Sequence, residues 1–445
     1  MIYQKIDEIA KKNSNKIALF CNDKKYSYQE LIHHVNLLSK AFSNTKQSAL
    51  IYLPKSEWIV IGQLAINKTK NIFTCLDIDT PRKRVIEIIN QLQAKWIISS
   101  EFFGDLGYEK KEIYENFFIW EKQTDKLYFD ENISHIYFSS GSTGKPKGIK
   151  LSDIPLVDVV LQQARMIHLN KNKKFAWLLS PSFDASLSDI YMTLCVGAEL
   201  HICQFSQKKI KTLHQYFQDY QITHSDISPS ILPFLKIENL FLEAIIFGGE
   251  IGNEDVIQNL SKKVKMFNAY GPTEATICTS LKKINKNWNS HNIGKPLMGV
   301  EYWIGNHQEL YIAGNHLCIG YLSEELNQKK FMNQNGKRYY KSGDLVEYKN
   351  QEYFYKGRLD RQFKYHGILI SPEEIEYLAK KFGCREALCT NIGKYKIYYT
   401  GKIKEKKLKE LFLENIPKEM MPQEFIVLKN FDTNIHGKII INENK

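Results

Sequence analysis

From its start to beyond residue 250 the chain alternates short β-branched or aromatic runs with segments of helical period. Parallel strands need a crossover, usually a helix, so this alternation implies parallel sheets covered by helices. Individual elements carry their own signals. Ser27-Tyr-Gln-Glu30 is a capping box, and it opens a helix whose apolar positions Leu31, Val35 and Leu38 recur at helical spacing. A strand is expected over Ala49–Leu53, a helix from Ser56, a strand ending near Leu76 and another over Trp96–Ser99. Thr80-Pro81 reads as an N-cap with proline at the first helical position, the helix running through Ile88. From Glu301 to Tyr355 the pattern changes to short strands with Gly and Asn turns. Beyond Gly357-Arg358-Leu359-Asp360 follows a compact segment with helices near Pro372–Phe382 and Lys404–Glu414. The expected fold class is α/β. Residues 1-357 form a large N-terminal part of helix-covered sheets with a β-rich subdomain, 358-360 a hinge, and 361-445 a small α+β C-terminal domain.

Charge narrows the partners. The 61 basic residues exceed the 49 acidic ones by 12, yet only seven of the 61 are Arg. Nucleic-acid binders draw on Arg for bidentate contacts, and the Lys here is scattered without a long basic block, so no nucleic-acid partner is expected. An acidic protein partner is the alternative the excess allows. Eight cysteines include no C-x-x-C pair and twelve His make no metal-binding cluster, so a structural zinc site is not expected. Free thiols, an N-terminus without the apolar core of a signal peptide, and no apolar stretch near 18 residues lead to the expectation of a cytoplasmic protein with no membrane association.

The strongest local signal is Tyr137-Phe-Ser-Ser-Gly-Ser-Thr-Gly-Lys-Pro-Lys-Gly148, directly after the apolar run Ile136–Phe138. Small residues let backbone N–H groups approach phosphate oxygens, hydroxyls add donors, and Lys supplies charge. The spacing is not that of a Walker loop, because Lys145 is followed by Pro. This loop resembles the phosphate-binding signature of the adenylate-forming superfamily of acyl-CoA synthetases, luciferases and amino-acid adenylation domains. Further motifs follow in that superfamily's order. Asn268-Ala-Tyr-Gly-Pro-Thr-Glu274 is similar to its adenine and magnesium motif, Tyr340-Lys-Ser-Gly-Asp-Leu345 to its ribose motif, Gly357-Arg-Leu-Asp-Arg-Gln362 to its hinge, and Gly437-Lys438 to its C-terminal catalytic lysine. Weaker matches are Tyr26–Leu31, Leu76–Pro81, Glu309–Gly314 and Gly320–Leu322. The resemblance spans nearly the whole chain.

It implies ATP and Mg²⁺ as cofactors. Ser139, Ser140, Gly141, Ser142, Thr143, Gly144 and Lys145 would meet the phosphates, with Thr143 also catalytic. Gly249, Asn268, Ala269, Tyr270 and Gly271 would also bind ATP, Tyr270 stacking on adenine and Asn268 reading its edge. Asp344, backed by Arg358, would accept the ribose hydroxyls. Thr273 and Glu274 would meet phosphate and magnesium, which favours hard oxygen ligands. Lys438 would hold the carboxylate and bridge the developing charges. Asp360 would be the hinge about which a mobile C-terminal domain turns, bringing His366 and Gly367 to face a phosphopantetheine thiol.

Phe183-Asp-Ala-Ser186 discriminates between substrate classes. In the amino-acid branch of the superfamily such an Asp pairs with the substrate's α-ammonium; a plain acid offers no cation, and an unpaired buried carboxylate is costly. The alternative is that Asp184 caps the following helix. The side-chain pocket implied by the resemblance is lined by Asp184, Ala185, Ser188, Asp226, Ile246, Gly248, Ala269, Ile277 and Cys278. Asp226 stands out in an otherwise apolar set: it either receives a basic or phenolic side chain or bonds loop backbone. His366 before Gly367 and the pieces Ser182–Asp184 and Asp189–Tyr191 also resemble D-alanine–carrier protein ligases, whose tiny substrate would not need Asp226. No carrier domain follows Lys438, so the expected activity is amino-acid adenylation with transfer to a separate, acidic carrier protein. An acyl-CoA synthetase is the remaining alternative.

Overall fold

The computed structural model describes residues 1–114, 116–123, 129–141, 145–204, 210–365, 367–433 and 439–440. Of the expected site residues, Ser142, Thr143, Gly144, His366 and Lys438 lie outside these. The chain divides into two compact units. The larger comprises Met1–Ile78, Ile89–Phe138 and Gly148–Leu359, and the smaller Asp79–Ile88, Ser139–Lys147 and Asp360–Lys445.

Two eight-stranded sheets build most of the larger unit. In one, the order is Ser280–Lys283, Lys265–Tyr270, Ala244–Gly248, His224–Asp226, Lys174–Trp177, Glu199–Ile202, Ile17–Cys21 and Lys24–Ser27. Its six inner strands pair parallel, and only the outermost pair at each edge runs antiparallel. The second sheet is parallel at its centre too, where Ser48–Leu53 lies between Ile72–Asp77 and Trp96–Ser99. A parallel strand buried on both faces reads as a continuous apolar run, and Ser48–Leu53 is buried at every position. The helices Tyr28–Ser39, Glu57–Lys68, Asp153–Met166 and Ala185–Cys195 bury their apolar faces in one continuous core with these sheets. The capping box holds: Ser27 Oγ accepts the Glu30 amide at 3.2 Å, while the Glu30 carboxylate accepts the Ser27 amide at 2.7 Å.

The β-rich stretch is a six-stranded antiparallel sheet made by Asn292–Gly294, Val300–Ile304, Glu309–Gly314, Phe331–Gln334, Lys337–Lys349 and Glu352–Arg358. The smaller unit carries a three-stranded sheet (Glu386–Thr390, Lys396–Thr400, Glu424–Val427) with helices Pro372–Lys381 and Glu405–Leu413. All eight cysteines are free and buried. No helix among the described residues is long and apolar enough to cross a membrane, and no group of side chains among them could hold a metal ion by clustering of His, Cys, Asp and Glu.

Candidate functional site

Strand register gathers four of the expected pocket residues. Asp226 lies opposite Ile246, and Gly248 opposite Ala269, on adjacent parallel strands. Ile246 and Gly248 are two apart, and side chains in register share a face. Asp226, Ile246, Gly248 and Ala269 therefore project from one face of the sheet. Gly248 has a packing reason to be glycine, since a Cβ there would meet the Ala269 carbonyl oxygen at 2.3 Å. The turn that follows Tyr270 is strained. Thr276 and Ile277, both β-branched, adopt left-handed backbone (φ 53° and 68°), which such residues rarely tolerate outside functional sites. Thr276 is held by its hydroxyl, which donates to the His316 carbonyl at 2.6 Å.

Helix Ala185–Cys195 brings the other wall. Asp184 stands at its N-cap position but makes no side-chain capping bond. The loop before it is pinned by Ser182, whose hydroxyl accepts the Asp77 amide at 2.7 Å, and by Ser180, which donates to the Asp77 carboxylate at 2.9 Å. Ser188 is buried, and its hydroxyl donates to Gln163 Oε1 at 2.6 Å. Cys278 is buried as well, its thiol pushed up to about 12 by desolvation, against which a hydrogen bond from the same Gln163 acts. Gln163, on helix Asp153–Met166, is missed by sequence reasoning, because one amide on a largely buried helix carries no local signal.

Asp226 is half-buried, and burial pushes its carboxyl up to about 7. Asp189 feels its charge, and Lys55 in turn acts on Asp189. Asp189 is fully buried and neither carboxylate oxygen has a hydrogen-bond partner among the described residues. Burial, then the charge of Asp226, push its carboxyl well above the usual range, and Lys55 opposes them. The Lys55 ammonium lies 4.5 Å over the Trp177 ring, equally without a hydrogen-bond partner among the described residues, and burial pulls it down to about 8.

Tyr270, Asp344, Arg358 and Ser342 of the larger unit form a connected network. Tyr270 donates its hydroxyl to Asp344 Oδ2 at 2.6 Å, and Arg358 Nη1 donates to Asp344 Oδ1 at 2.7 Å. Burial and the Asp344 charge raise the Tyr270 phenol well above its ordinary value, so it stays a donor. Ser342 Oγ accepts the Asp344 amide at 3.0 Å. Each Asp344 oxygen accepts one such bond and keeps a second lone pair, so the carboxylate can still take two ribose hydroxyls. Asn268 donates to the Asn292 carbonyl at 3.1 Å and keeps its side-chain oxygen as an acceptor. Glu274 is buried in the short turn Thr273–Ala275 and accepts the Tyr321 hydroxyl on Oε1, leaving Oε2 for a cation. One free carboxylate oxygen, on a turn that also carries the hydroxyl residue Thr273, is the donor chemistry that a hard ion such as Mg²⁺, keeping most of its waters, would take.

In the smaller unit, Ser139 is half-buried, Ser140 and Gly141 are buried, and Lys145 is exposed. Ser140 donates to the Leu369 carbonyl, and the Gly141 amide donates to Glu374 Oε2 at 3.1 Å. Glu374 Oε1 accepts Arg84 at 2.8 Å, with both side chains buried. A carboxylate thus sits on an amide that the sequence reading gives to phosphate. Asp360 and Gly367 are exposed, Gly367 in left-handed backbone (φ 79°).

Residues 6–322 match the family described as AMP-binding enzyme. Gramicidin S synthase 1 of Brevibacillus brevis is 26% identical over 480 residues, covering 98% of this chain; the chain spans only 44% of that relative. Among solved structures, an artificially fused adenylation–PCP di-domain from Klebsiella oxytoca superposes with TM-score 0.82 at 20% identity, covering 95% of this chain and 93% of the other. An o-succinylbenzoate CoA synthetase from Bacillus subtilis superposes with TM-score 0.82 at 18% identity, covering 98% and 97%. These two likenesses concern the fold. With the family matched over most of its length, the chain belongs to the AMP-binding enzymes, ATP-dependent ligases that form an acyl-adenylate.

Proposed function

We propose that the chain activates an amino acid as its aminoacyl-adenylate and passes it to the phosphopantetheine thiol of a separate, acidic carrier protein. The observation that carries this reading is Asp184. It is half-buried at the start of the helix that carries Ser188, makes no capping bond to that helix, and as a carboxylate suits an α-ammonium. Relatedness to gramicidin S synthase 1 supports an amino-acid substrate, and the net charge of +12 supports an acidic carrier. Asp226, in register with Ile246 on the face that carries Gly248 and Ala269, favours a basic or phenolic side chain. Lys438 and the loop Ser139–Lys145 are assigned the roles that the resemblance gives them, which requires the Gly141 amide to exchange the Glu374 carboxylate for phosphate, with Asp360 as hinge and His366-Gly367 toward the thiol. The test is ATP–pyrophosphate exchange against proteinogenic amino acids, ornithine, D-alanine and simple carboxylic acids. Exchange with a basic or phenolic amino acid is expected, and exchange driven by carboxylic acids alone would refute the reading.

A second reading is kept by the superposition on an o-succinylbenzoate CoA synthetase. In that case coenzyme A, and no carrier protein, would accept the acyl group. Comparing thioester formation on free coenzyme A and on a phosphopantetheinylated carrier separates the two. D-alanine as the best substrate would point instead to a D-alanine–carrier protein ligase.

A further inference from the structure

We propose that Gln163 sets the depth of the side-chain pocket and is a specificity-determining residue of this enzyme. The proposal rests on the amino-acid reading above. A serine at 188 leaves space below the substrate side chain, and that space has an occupant. Gln163 is 1% exposed, and its Oε1 lies 2.6 Å from the Ser188 hydroxyl, itself 2% exposed. Its amide also acts on the Cys278 thiol on the opposite wall, against the rise that burial imposes. One residue from helix Asp153–Met166 thereby joins two walls, one carried by helix Ala185–Cys195 and one by the turn after Tyr270. The bridge has two consequences.

It fills volume: a glutamine side chain takes the place a larger residue at 188 would otherwise fill. It also settles the polar groups at the bottom, because Ser188 donates to Gln163 and Cys278 donates onward to the Ser280 carbonyl at 3.1 Å. A buried amide whose oxygen is bonded to the Ser188 hydroxyl is restrained by that bond, and with it the depth it sets.

The test uses the full chain and ATP–pyrophosphate exchange with two graded series. One runs from 2,3-diaminopropionate through ornithine to lysine, the other from 2-aminobutyrate to 2-aminooctanoate. Wild type should show a length beyond which kcat/KM falls about 10-fold or more per added methylene. Gln163→Ala should move that cut-off outward by at least one methylene in both series, through KM. Gln163→Met, which keeps the volume and loses the hydrogen bonds, should leave the cut-off where it is, and Gln163→Asn covers the case in which Gln163→Ala fails to fold. An unchanged cut-off in folded Gln163→Ala or Gln163→Asn, or an equal loss at every length, overturns the proposal and leaves amino-acid adenylation standing. Exchange with no amino acid at all overturns both.

Discussion

Replacing Arg358 with methionine should destabilise the larger unit by about 3 kcal/mol. The figure follows from what the guanidinium holds. Nη1 donates to Asp344 at 2.7 Å and to the Ser342 carbonyl at 3.0 Å, and the Arg358 and Asp344 side chains are 11% and 8% exposed. Removing one partner of a buried ion pair costs about 3–5 kcal/mol, because the charge left behind stays out of water. Slight exposure, and the bond that Tyr270 still donates to the other carboxylate oxygen, put this case at the lower end. About 3 kcal/mol is roughly a 10²-fold change in the folding constant. The assay is urea unfolding followed by tryptophan fluorescence, since all six tryptophans lie in the larger unit. Asp344→Asn and the double variant complete a cycle. The double should lose less than the two singles together, with a coupling of about 2 kcal/mol. An Arg358→Met loss below about 0.5 kcal/mol, or additivity within that margin, would refute the reasoning.

Asp184→Ala should raise KM for the amino acid about 10²-fold or more while KM for ATP stays near wild type, because a buried charged pair loses one partner; equal changes in both constants would remove Asp184 from substrate binding. Burial pulls the Lys55 ammonium down to about 8, so its charged form costs native stability below that pH, and the cost disappears as pH climbs to the ordinary lysine value. Lys55→Met should therefore stabilise by about 3 kcal/mol at pH 7 and by almost nothing near pH 10.5; a gain that does not fall with pH across urea titrations defeats this account. Arg84→Met should weaken the smaller unit by about 3–5 kcal/mol by stranding Glu374, and Arg84→Met with Glu374→Leu should restore most of it. Hydrogen exchange in strand Lys396–Thr400 reads that out, and full protection in the single variant would contradict it.

Local chemistry explains what could be read in advance. The capping box at Ser27–Glu30, the strand Trp96–Ser99 and the helix beginning after Ser56 all lie where short-range signals put them. The helix after Thr80-Pro81 runs on to Leu92, past the expected Ile88, because nothing in Ile89-Asn-Gln-Leu92 breaks it. The motif residues were legible as types, and register supplied their meeting: Asp226, Ile246, Gly248 and Ala269 share a face because of strand pairing that no single segment encodes. What stayed hidden depends on distant partners. Tyr321 bonds Glu274 from 47 residues away, and Gln163 bonds Ser188 from 25. Lys55 was one lysine among 54 until Trp177 and Asp189 surrounded it.

The buried thiols make this molecule its own unfolding recorder. Desolvation pushes Cys21, Cys75, Cys195, Cys203 and Cys278 up to about 12 and Cys384 to about 11, and raises Cys318 and Cys389 further still. Only a thiolate attacks an alkylating reagent, so each sulfur stays silent until its surroundings open. Cys384 and Cys389 belong to the smaller unit and the other six to the larger one. A brief iodoacetamide pulse followed by peptide mass spectrometry would thus time the two units separately in the unmodified chain. Under the proposed function Cys278 adds a third channel: as a member of the proposed pocket, its alkylation is expected to slow when the activated amino acid is bound, while Cys21 keeps its pace.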